Sequence, residues 1–415
     1  MKELGDIAKE SIVGSTPLKN NPAYWENGII PWITNKEVEY GKVNYISDTA
    51  EKVSKKTIEE TNLRIVPTYS LIISFTASVG KVAINKVPLT TNQQFISFVL
   101  KDNFNVIYYA YYFVSSKDVI ESFSGATPFS FITKERALSI PIPYPPLPEQ
   151  SRIATILSYF DDLIENKKRQ NEILEKTAMA IFKNWFVDFE PFKDGEFVDS
   201  ELGKIPNGWE VKRIGELLEN IFAGEWGDDE RSEKFYEAAY CIRGTDIAEL
   251  NKKTFIDLPL RFIKKETIKN KRLKENDIVI EISGGSFDQQ TGRVLLVSSK
   301  LLDSYDLPLI SSNFCRVIRS KYPLFLYFLF QYFYTINLFY EYESGTTSIK
   351  NLDIKSILNL LILFPPPPIL QKFHSLVEPL FQKIINNQKQ IMVLKKIRDT
   401  ILPLLVFGKL RVEEL

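Results

Sequence analysis

Pro145-Pro146-Leu147-Pro148-Glu149-Gln150 opens a stretch in which Ile153, Phe160, Leu174 and Ile181 fall on a seven-residue spacing, with Leu157, Ile164, Ala178 and Trp185 four residues after them. That spacing describes a helix with one apolar seam. The chain then writes it again. Pro365 to Pro368 lead into Phe373, Leu380, Leu394 and Ile401, accompanied by Val377, Ile384, Ile391 and Leu405. Each series has one polar break, Lys167 in the first and Asn387 in the second, 220 residues apart. A polar group at a seam position costs stability but fixes register, so the matched breaks predict that the two helices pack together near their middles. Pro148 and Pro368 suit a first helical turn. Residues 149–187 would span roughly 58 Å at ~1.5 Å rise per residue, more than a compact domain needs.

The duplication extends upstream. Ser124-Gly125-Ala126-Thr127 recurs as Ser344-Gly345-Thr346-Thr347, and Trp32-Ile33-Thr34-Asn35-Lys36-Glu37-Val38 is echoed by Cys241-Ile242-Arg243-Gly244-Thr245-Asp246-Ile247. Gly80-Lys81-Val82-Ala83-Ile84 matches Gly292-Arg293-Val294-Leu295-Leu296, and Asn92-Gln93-Gln94-Phe95 is set against Ser311-Ser312-Asn313-Phe314. The order is the same in both halves, and the offset drifts from 209 residues at Ile33 and Ile242 to 220 at Ser124 and Ser344, as insertions in a diverged repeat produce. Short β-branched runs at 70–75, 81–84, 95–100, 277–282, 293–297 and 314–318 read as strands. Each half is thus a mixed α/β globule followed by a long helix: a first domain at 1–148, a helix at 149–187, a Gly- and Pro-rich linker at 188–208, a second domain at 209–366, and a second helix with its tail at 367–415.

The 415 residues are 44% hydrophobic and 25% charged, a packed globular composition. No leader pattern and no apolar run of bilayer length is present. Leu324 to Phe333 is short and aromatic, so it reads as a buried element, and the chain is expected to be soluble and cytoplasmic, away from membranes. Cys241 and Cys315 are too few for a disulfide framework or a four-ligand zinc site, and no metal is expected.

Catalytic patterns are missing. Asn21-Pro22-Ala23-Tyr24 lacks the second proline of an adenine methyltransferase loop, and Gly284-Gly285-Ser286 lacks the lysine of a phosphate loop. Acid-x-Lys triplets such as Glu210-Val211-Lys212 and Asp353-Ile354-Lys355 arise readily by chance among 52 acids and 52 bases. His374 is the single histidine, which removes most hydrolase constellations. A chain with two similar globules and no catalytic constellation does recognition. Two globules held apart by rigid helices suit two DNA sites at a defined spacing. The formal net charge of zero argues against purely electrostatic DNA binding. Between Arg261 and Lys274, however, seven basic residues face one acid, which makes Lys264, Lys265 and Lys269 candidate phosphate contacts; a solvated helix face is the alternative.

The run through Pro148-Glu149-Gln150, Ile153-Ala154-Thr155-Ile156-Leu157 and Asp161-Asp162-Leu163-Ile164 closely resembles the central conserved region of specificity (S) subunits of type I restriction-modification systems. Gly14-Ser15-Thr16-Pro17, Tyr24-Trp25, Gly28 and Ile30-Pro31-Trp32 look like the start of that family's target recognition domain. The resemblance covers essentially the whole chain. It implies an α+β fold with two mixed α/β target recognition domains separated by two long antiparallel helices forming a coiled coil, related by a pseudo-two-fold internal repeat. It also implies a bipartite, asymmetric double-stranded DNA target and partners: two modification (M) subunits bringing adenosylmethionine, and restriction (R) subunits bringing ATP-dependent cleavage with Mg, while this chain carries no cofactor and no catalysis. Pro366-Pro367-Pro368-Ile369-Leu370-Gln371 lacks the glutamate, and Gly224-Glu225-Trp226-Gly227 replaces the first domain's opening, so the half-sites should differ.

Base readout needs polar side chains on loops that reach a groove. Candidates standing in or beside the repeated pieces are Thr34, Asn35, Lys36, Ser78, Lys81, Asn92, Gln93, Gln94 and Thr127 in the first domain, and Arg243, Thr245, Ser283, Gln289, Gln290, Arg293, Asn313 and Thr346 in the second. For each, a turn-forming role stands beside a base contact. The rival reading of the whole is a coiled-coil adaptor with two protein-binding globules and no DNA role.

Overall fold

A computed structural model describes residues 1–76, 78–123, 132–252, 255–284, 289–346 and 349–412. Two compact units emerge, one of residues 1–164 with 393–412 and one of residues 165–392.

In the first unit, β1 (Lys2–Glu3) pairs with β10 (Pro141–Ile142), closing the globule just before the long helix. A five-stranded sheet runs β2 (Ala8–Val13), β9 (Phe95–Leu100), β6 (Leu71–Ser74), β7 (Val82–Asn85), β4 (Val43–Ile46). A three-stranded sheet runs β5 (Lys52–Val53), β3 (Ile30–Ile33), β8 (Thr90–Thr91). Alternation of side chains along a strand explains how one sheet serves two cores. Leu71 and Ile73 face Tyr108, Tyr111 and Phe113 of helix α1 (Val106–Val114). Ile72, between them, joins Ile33, Val38 and Phe95 on the other side. A run of four apolar or small residues, all buried, is what such a central strand requires.

The second unit repeats this plan. Its end strands are β13 (Glu210–Arg213) and β24 (Leu361–Phe364). The larger sheet is β14 (Leu218–Ala223), β21 (Cys315–Ser320), β17 (Ile278–Glu281), β19 (Val294–Leu296), and the smaller is β16 (Leu260–Ile263), β15 (Glu237–Ile242), β20 (Leu309–Ser311). Ile278 and Ile280 pack under the second unit's helix α3 (Pro323–Thr335), while Val279 faces Ile242 and Val317. After the first long helix in sequence, this unit also carries a hairpin of β11 (Phe197–Ser200) and β12 (Gly203–Pro206).

Hydrogen-bond register sets the equivalences residue by residue. Ile33 pairs with Thr91 as Ile242 pairs with Ser311. Asn92 N–H donates to Ile33 (3.0 Å) as Ser312 N–H donates to Ile242 (2.8 Å), and Phe95 N–H bonds Asn92 as Cys315 N–H bonds Ser312. This corrects the sequence alignment by one residue: Asn92-Gln93-Gln94-Phe95 matches Ser312-Asn313-Phe314-Cys315. The shared letters Asn-Phe had suggested otherwise, but the core position of Phe95 belongs to Cys315, and both are fully buried. Gly14 and Gly224 are equivalent for a steric reason. A Cβ there would stand 1.9 Å from the Asn92 carbonyl oxygen, or 2.1 Å from that of Ser311, so only glycine lets the incoming strand lie against this turn.

Helices α2 (Leu147–Phe186) and α4 (Pro367–Val406) have 40 residues each. Within each unit their segments run antiparallel. In the second, Asn171 meets Asn387 while Phe182 and Phe186 meet Phe373 edge to face at centroid distances of 6.0 and 4.9 Å. In the first, Ile153 and Leu157 share a core with Leu402 and Leu405, and Asp161 meets Arg398. Of the expected seam, Ile153, Leu157, Ile164, Phe373, Val377 and Ile384 are buried, and Phe160, Leu174, Ile181, Leu380, Ile391, Leu394 and Ile401 are half-buried. The seam's polar contact differs from expectation. Asn387 Nδ2 donates to Asn171 Oδ1 at 2.9 Å and reaches Gln170 Oε1 at 3.3 Å, while Lys167 stays half-buried. A lysine that keeps its ammonium wet avoids the desolvation that a neutral amide tolerates once hydrogen-bonded.

Candidate nucleic-acid interface

Because β3 and β8 run parallel and side by side, the chain leaves both at the same edge. The β6–β7 turn arrives there too, with Phe75 N–H on the Gln94 carbonyl at 2.9 Å. Three loops of the first domain therefore meet. Thr34 donates through N–H and Oγ1 to Glu37 Oε2 (2.9 and 2.6 Å), capping its own turn. Gln94 Oε1 accepts from Asn35 Nδ2 (2.8 Å) and Asn92 Nδ2 (2.9 Å), and Lys81 Nζ donates to the Asn35 carbonyl (2.8 Å). Asn35 Oδ1 is buried without a partner. Lys81 also lies over the Tyr40 ring, 5.2 Å from its centroid. The carbonyl of Ser78 accepts from Ser74 Oγ. Lys36 and Gln93 are exposed, Gln93 accepting from Thr16 Oγ1. The structure thus gathers Asn35, Lys81, Asn92 and Gln94 into one network and leaves Lys36 and Gln93 pointing outward; Thr127 lies outside the described residues.

The second domain builds the same edge from different chemistry. Arg243 repeats the Thr34 cap, with its N–H on Asp246 Oδ2 at 2.8 Å, and adds its guanidinium to the same carboxylate. That hydrogen bond raises the Arg243 pKa. Where the first domain has Ser74 and Lys81, the second has Glu281 and Arg293, joined by two bonds of 2.8 and 2.6 Å with the carboxylate wholly buried. The bond to Glu281 raises the Arg293 pKa. Cβ atoms added to Gly244 and Gly284 would come within 2.6 and 2.5 Å of Glu281 Oε1, so glycine makes room for the pair. Arg293 is therefore tied up inside the domain. So is Gln290, only 4% exposed, whose Nε2 donates to the Tyr334 carbonyl and Asn337 Oδ1. Thr245, Gln289 and Asn313 are exposed. Ser283 is half-buried on β18 (Ser283–Gly284), which pairs with β23 (Ile349–Leu352); that strand also pairs with β22 (Glu343–Thr346), where Thr346 is described by its backbone alone.

The basic run divides. Arg261, 5% exposed, lies 4.3 Å from the Trp226 ring and pairs with Asp229; its burial on β16 removes it from any phosphate-facing patch. Lys271 pairs with Glu225 at 3.4 Å. Lys264 is half-buried over Phe235, whereas Lys265 and Lys269 are exposed on the helix Lys265–Lys271.

Both edges are moored to α4, each within its own unit. In the first, Arg398 joins Asp161 and Asp399 and reaches the Gly41 carbonyl at 3.3 Å, and Tyr111 donates to Asp161 at 2.6 Å. Burial lowers the Arg398 pKa, but the bonds to Asp161 and Asp399 outweigh it and the net direction is up. In the second, Gln388 Nε2 donates to the Asn251 carbonyl (3.1 Å) while Asn251 holds the Val294 carbonyl (3.0 Å).

Residues 1–176 and 206–396 each match the family described as "Type I restriction modification DNA specificity domain". The whole chain is 44% identical to the type I restriction enzyme MjaIX specificity subunit of Methanocaldococcus jannaschii, over 93% of that protein. The chain belongs to the type I restriction-modification specificity subunits. This specificity subunit is also 31% identical, over 42% of its length and 45% of the relative's, to the EcoR124I/EcoR124II specificity subunit of Escherichia coli. It shares its fold with the crystal structure of the type I system S subunit from M. genitalium, at a TM-score of 0.54 and 16% identity over 98% and 95% of the two chains. Two matches to one domain description agree with the internal repeat, and none of these likenesses supports an adaptor without a DNA role. Among the described residues, no helix is long and apolar enough to cross a membrane.

Asn171, which bonds Asn387 across the long helices, and Arg398, which moors the first edge, are polar positions that heptad reading passed over. They fall at the one polar place in each companion series, Leu157–Ile164–Asn171–Ala178 and Ile384–Ile391–Arg398–Leu405, and continuing the spacing through polar residues would have found them.

Proposed function

We propose that this specificity subunit reads a bipartite, asymmetric double-stranded DNA target, with residues 1–148 and 209–366 as the two target recognition domains. The helices at 149–187 and 367–415 fix their spacing, and 188–208 links the halves. Base contacts come from the outward side chains of the loop edge in each domain, Lys36 and Gln93 in the first and Thr245, Gln289 and Asn313 in the second, while Lys265 and Lys269 meet phosphates. Two modification subunits bring adenosylmethionine and methylate adenine, restriction subunits bring ATP, Mg and cleavage, and the chain itself contributes binding and geometry in the cytoplasm. These partners also supply phosphate-binding surface that a chain of zero net charge lacks.

The observation that carries this reading is the loop edge written twice, with one hydrogen-bonded frame and two different sets of displayed side chains. Such a frame lets the displayed residues differ without altering the fold. Mapping methylated adenines in host DNA with and without the gene gives the target. Exchanging residues 1–148 for the corresponding domain of another specificity subunit is expected to replace one half of that target and keep the other. If both halves changed, or neither did, the domains would not be separate readers.

A further inference from the structure

Phe314 occupies a place that packing does not explain. Its carbonyl accepts from Ile282 N–H (2.8 Å) and Ser283 N–H (3.2 Å), the turn closes through Cys315 N–H on Ser312, and Arg316 holds the Asn313 carbonyl at 3.2 Å. The backbone is fastened at each residue, yet Phe314 is 52% exposed. In the first domain the equivalent Gln94 turns inward to Asn35 and Asn92. The second domain has nothing to receive an amide there: Gly244 replaces Asn35, and the Ser312 hydroxyl is given to Cys315 Sγ. A phenylalanine at this position gains no core contact comparable with that of Cys315, and it stands beside the exposed Asn313 on the reading edge. A lone exposed apolar residue is ordinary on a surface. One presented on a rigid turn, between polar neighbours at a recognition edge, is preorganised for contact.

We propose that Phe314 is a specificity-determining residue of the second domain that reads a thymine through its C5 methyl group in the major groove. This rests on the DNA-reading function above. A phenyl ring offers no hydrogen bond, so among base edges the methyl is the one feature it recognises. Asn313 beside it can bond the neighbouring base, and the pair would together discriminate two adjacent positions. The second half-site then contains at least one A·T pair.

The test uses the full chain assembled with its modification subunits and the mapped target. Each thymine of the second half-site is replaced in turn by deoxyuridine, which deletes only the methyl. At one position affinity is expected to fall about fourfold, the value of one buried methyl-sized group. Phe314→Gln is expected to lose affinity on thymine DNA with no further loss on the deoxyuridine DNA, whereas Phe314→Leu keeps most of the preference. Melting should be unchanged in both variants, since the side chain is exposed. A half-site without an A·T pair overturns the proposal. So does a Phe314→Gln loss that is the same whichever thymine is replaced, because the ring would then be stacking and not reading a methyl. If Phe314→Gln binds like the parent while exchange of 209–366 still changes the second half-site, Phe314 is dismissed and the two-domain reading stands; if that exchange changes nothing, the reading itself fails.

Discussion

The two loop edges share a frame and differ in what stiffens it. In the first domain, neutral amides bond one another: Asn35 and Asn92 on Gln94, with Lys81 on a carbonyl. In the second, a buried ion pair, Glu281 with Arg293, fills the same space, and glycines at 244 and 284 clear room for it. The lesson concerns tolerance. An amide network loses one modest bond at a time, whereas a buried ion pair leaves a stranded charge when either partner goes.

The largest effect expected is therefore in the second domain. Arg293→Ala should cost about 3–5 kcal/mol, the penalty for an uncompensated buried carboxylate, while the equivalent Lys81→Ala should cost about 1 kcal/mol. Denaturant midpoints measure both, and equal losses would break the contrast. Next comes mooring to α4. Arg398→Ala leaves the carboxylate of Asp161, whose side chain is 17% exposed, with Tyr111 but no cation, and should cost about 3 kcal/mol together with discrimination at the first half-site. Gln388→Ala removes one neutral bond worth about 1 kcal/mol and should relax the second half-site alone. Methylation profiling of the two variants separates these outcomes; relaxation of both half-sites by either variant would mean that the moorings are not local. Smaller again, Gln94→Ala frees two amides and should lower stability by about 1–2 kcal/mol, which thermal melting would register. Smallest of all, replacing exposed Lys265 and Lys269 by Ala should leave stability within about 0.5 kcal/mol yet reduce the log-log salt slope of binding by roughly one unit for each lost phosphate contact. An unchanged slope would make that helix a solvated face.

Much of the fold was legible in the sequence because it is written by period. The heptads gave both helices, the β-branched runs gave β6, β7 and β9 of one larger sheet and β17, β19 and β21 of the other but not β2, β4 or β14, and the recurring pieces gave the repeat. What was not legible depended on pairing. The alignment of Asn92 slipped by one residue because Asn-Phe reads alike in both halves, although one phenylalanine is core and the other is surface. Arg293, Gln290 and Arg261 looked available for DNA by residue type, but each is held inside its domain by a partner remote in sequence, such as Tyr334 for Gln290. Lys167 and Asn387 hold equivalent places in the two helices, 220 residues apart, but periodicity did not show that the bond of Asn387 goes to Asn171. Periodicity says which face a residue occupies, and says nothing of which polar group waits opposite.

The core of the first unit takes in Leu402, Leu405 and Val406 alongside Ile153 and Leu157. Ribosomes set a clock on that arrangement. At about 5–20 residues per second, the interval between Ile142, which closes the first globule, and Val406 lasts on the order of 10–50 s. The second unit, drawn entirely from residues 165–392, can be complete before the first has its last helix. Strands translated first are thus finished last. Throughout that delay Ile153 and Leu157 lack the cover that they have in the folded chain, so the nascent specificity subunit carries part of its first core uncovered until its last helix is made.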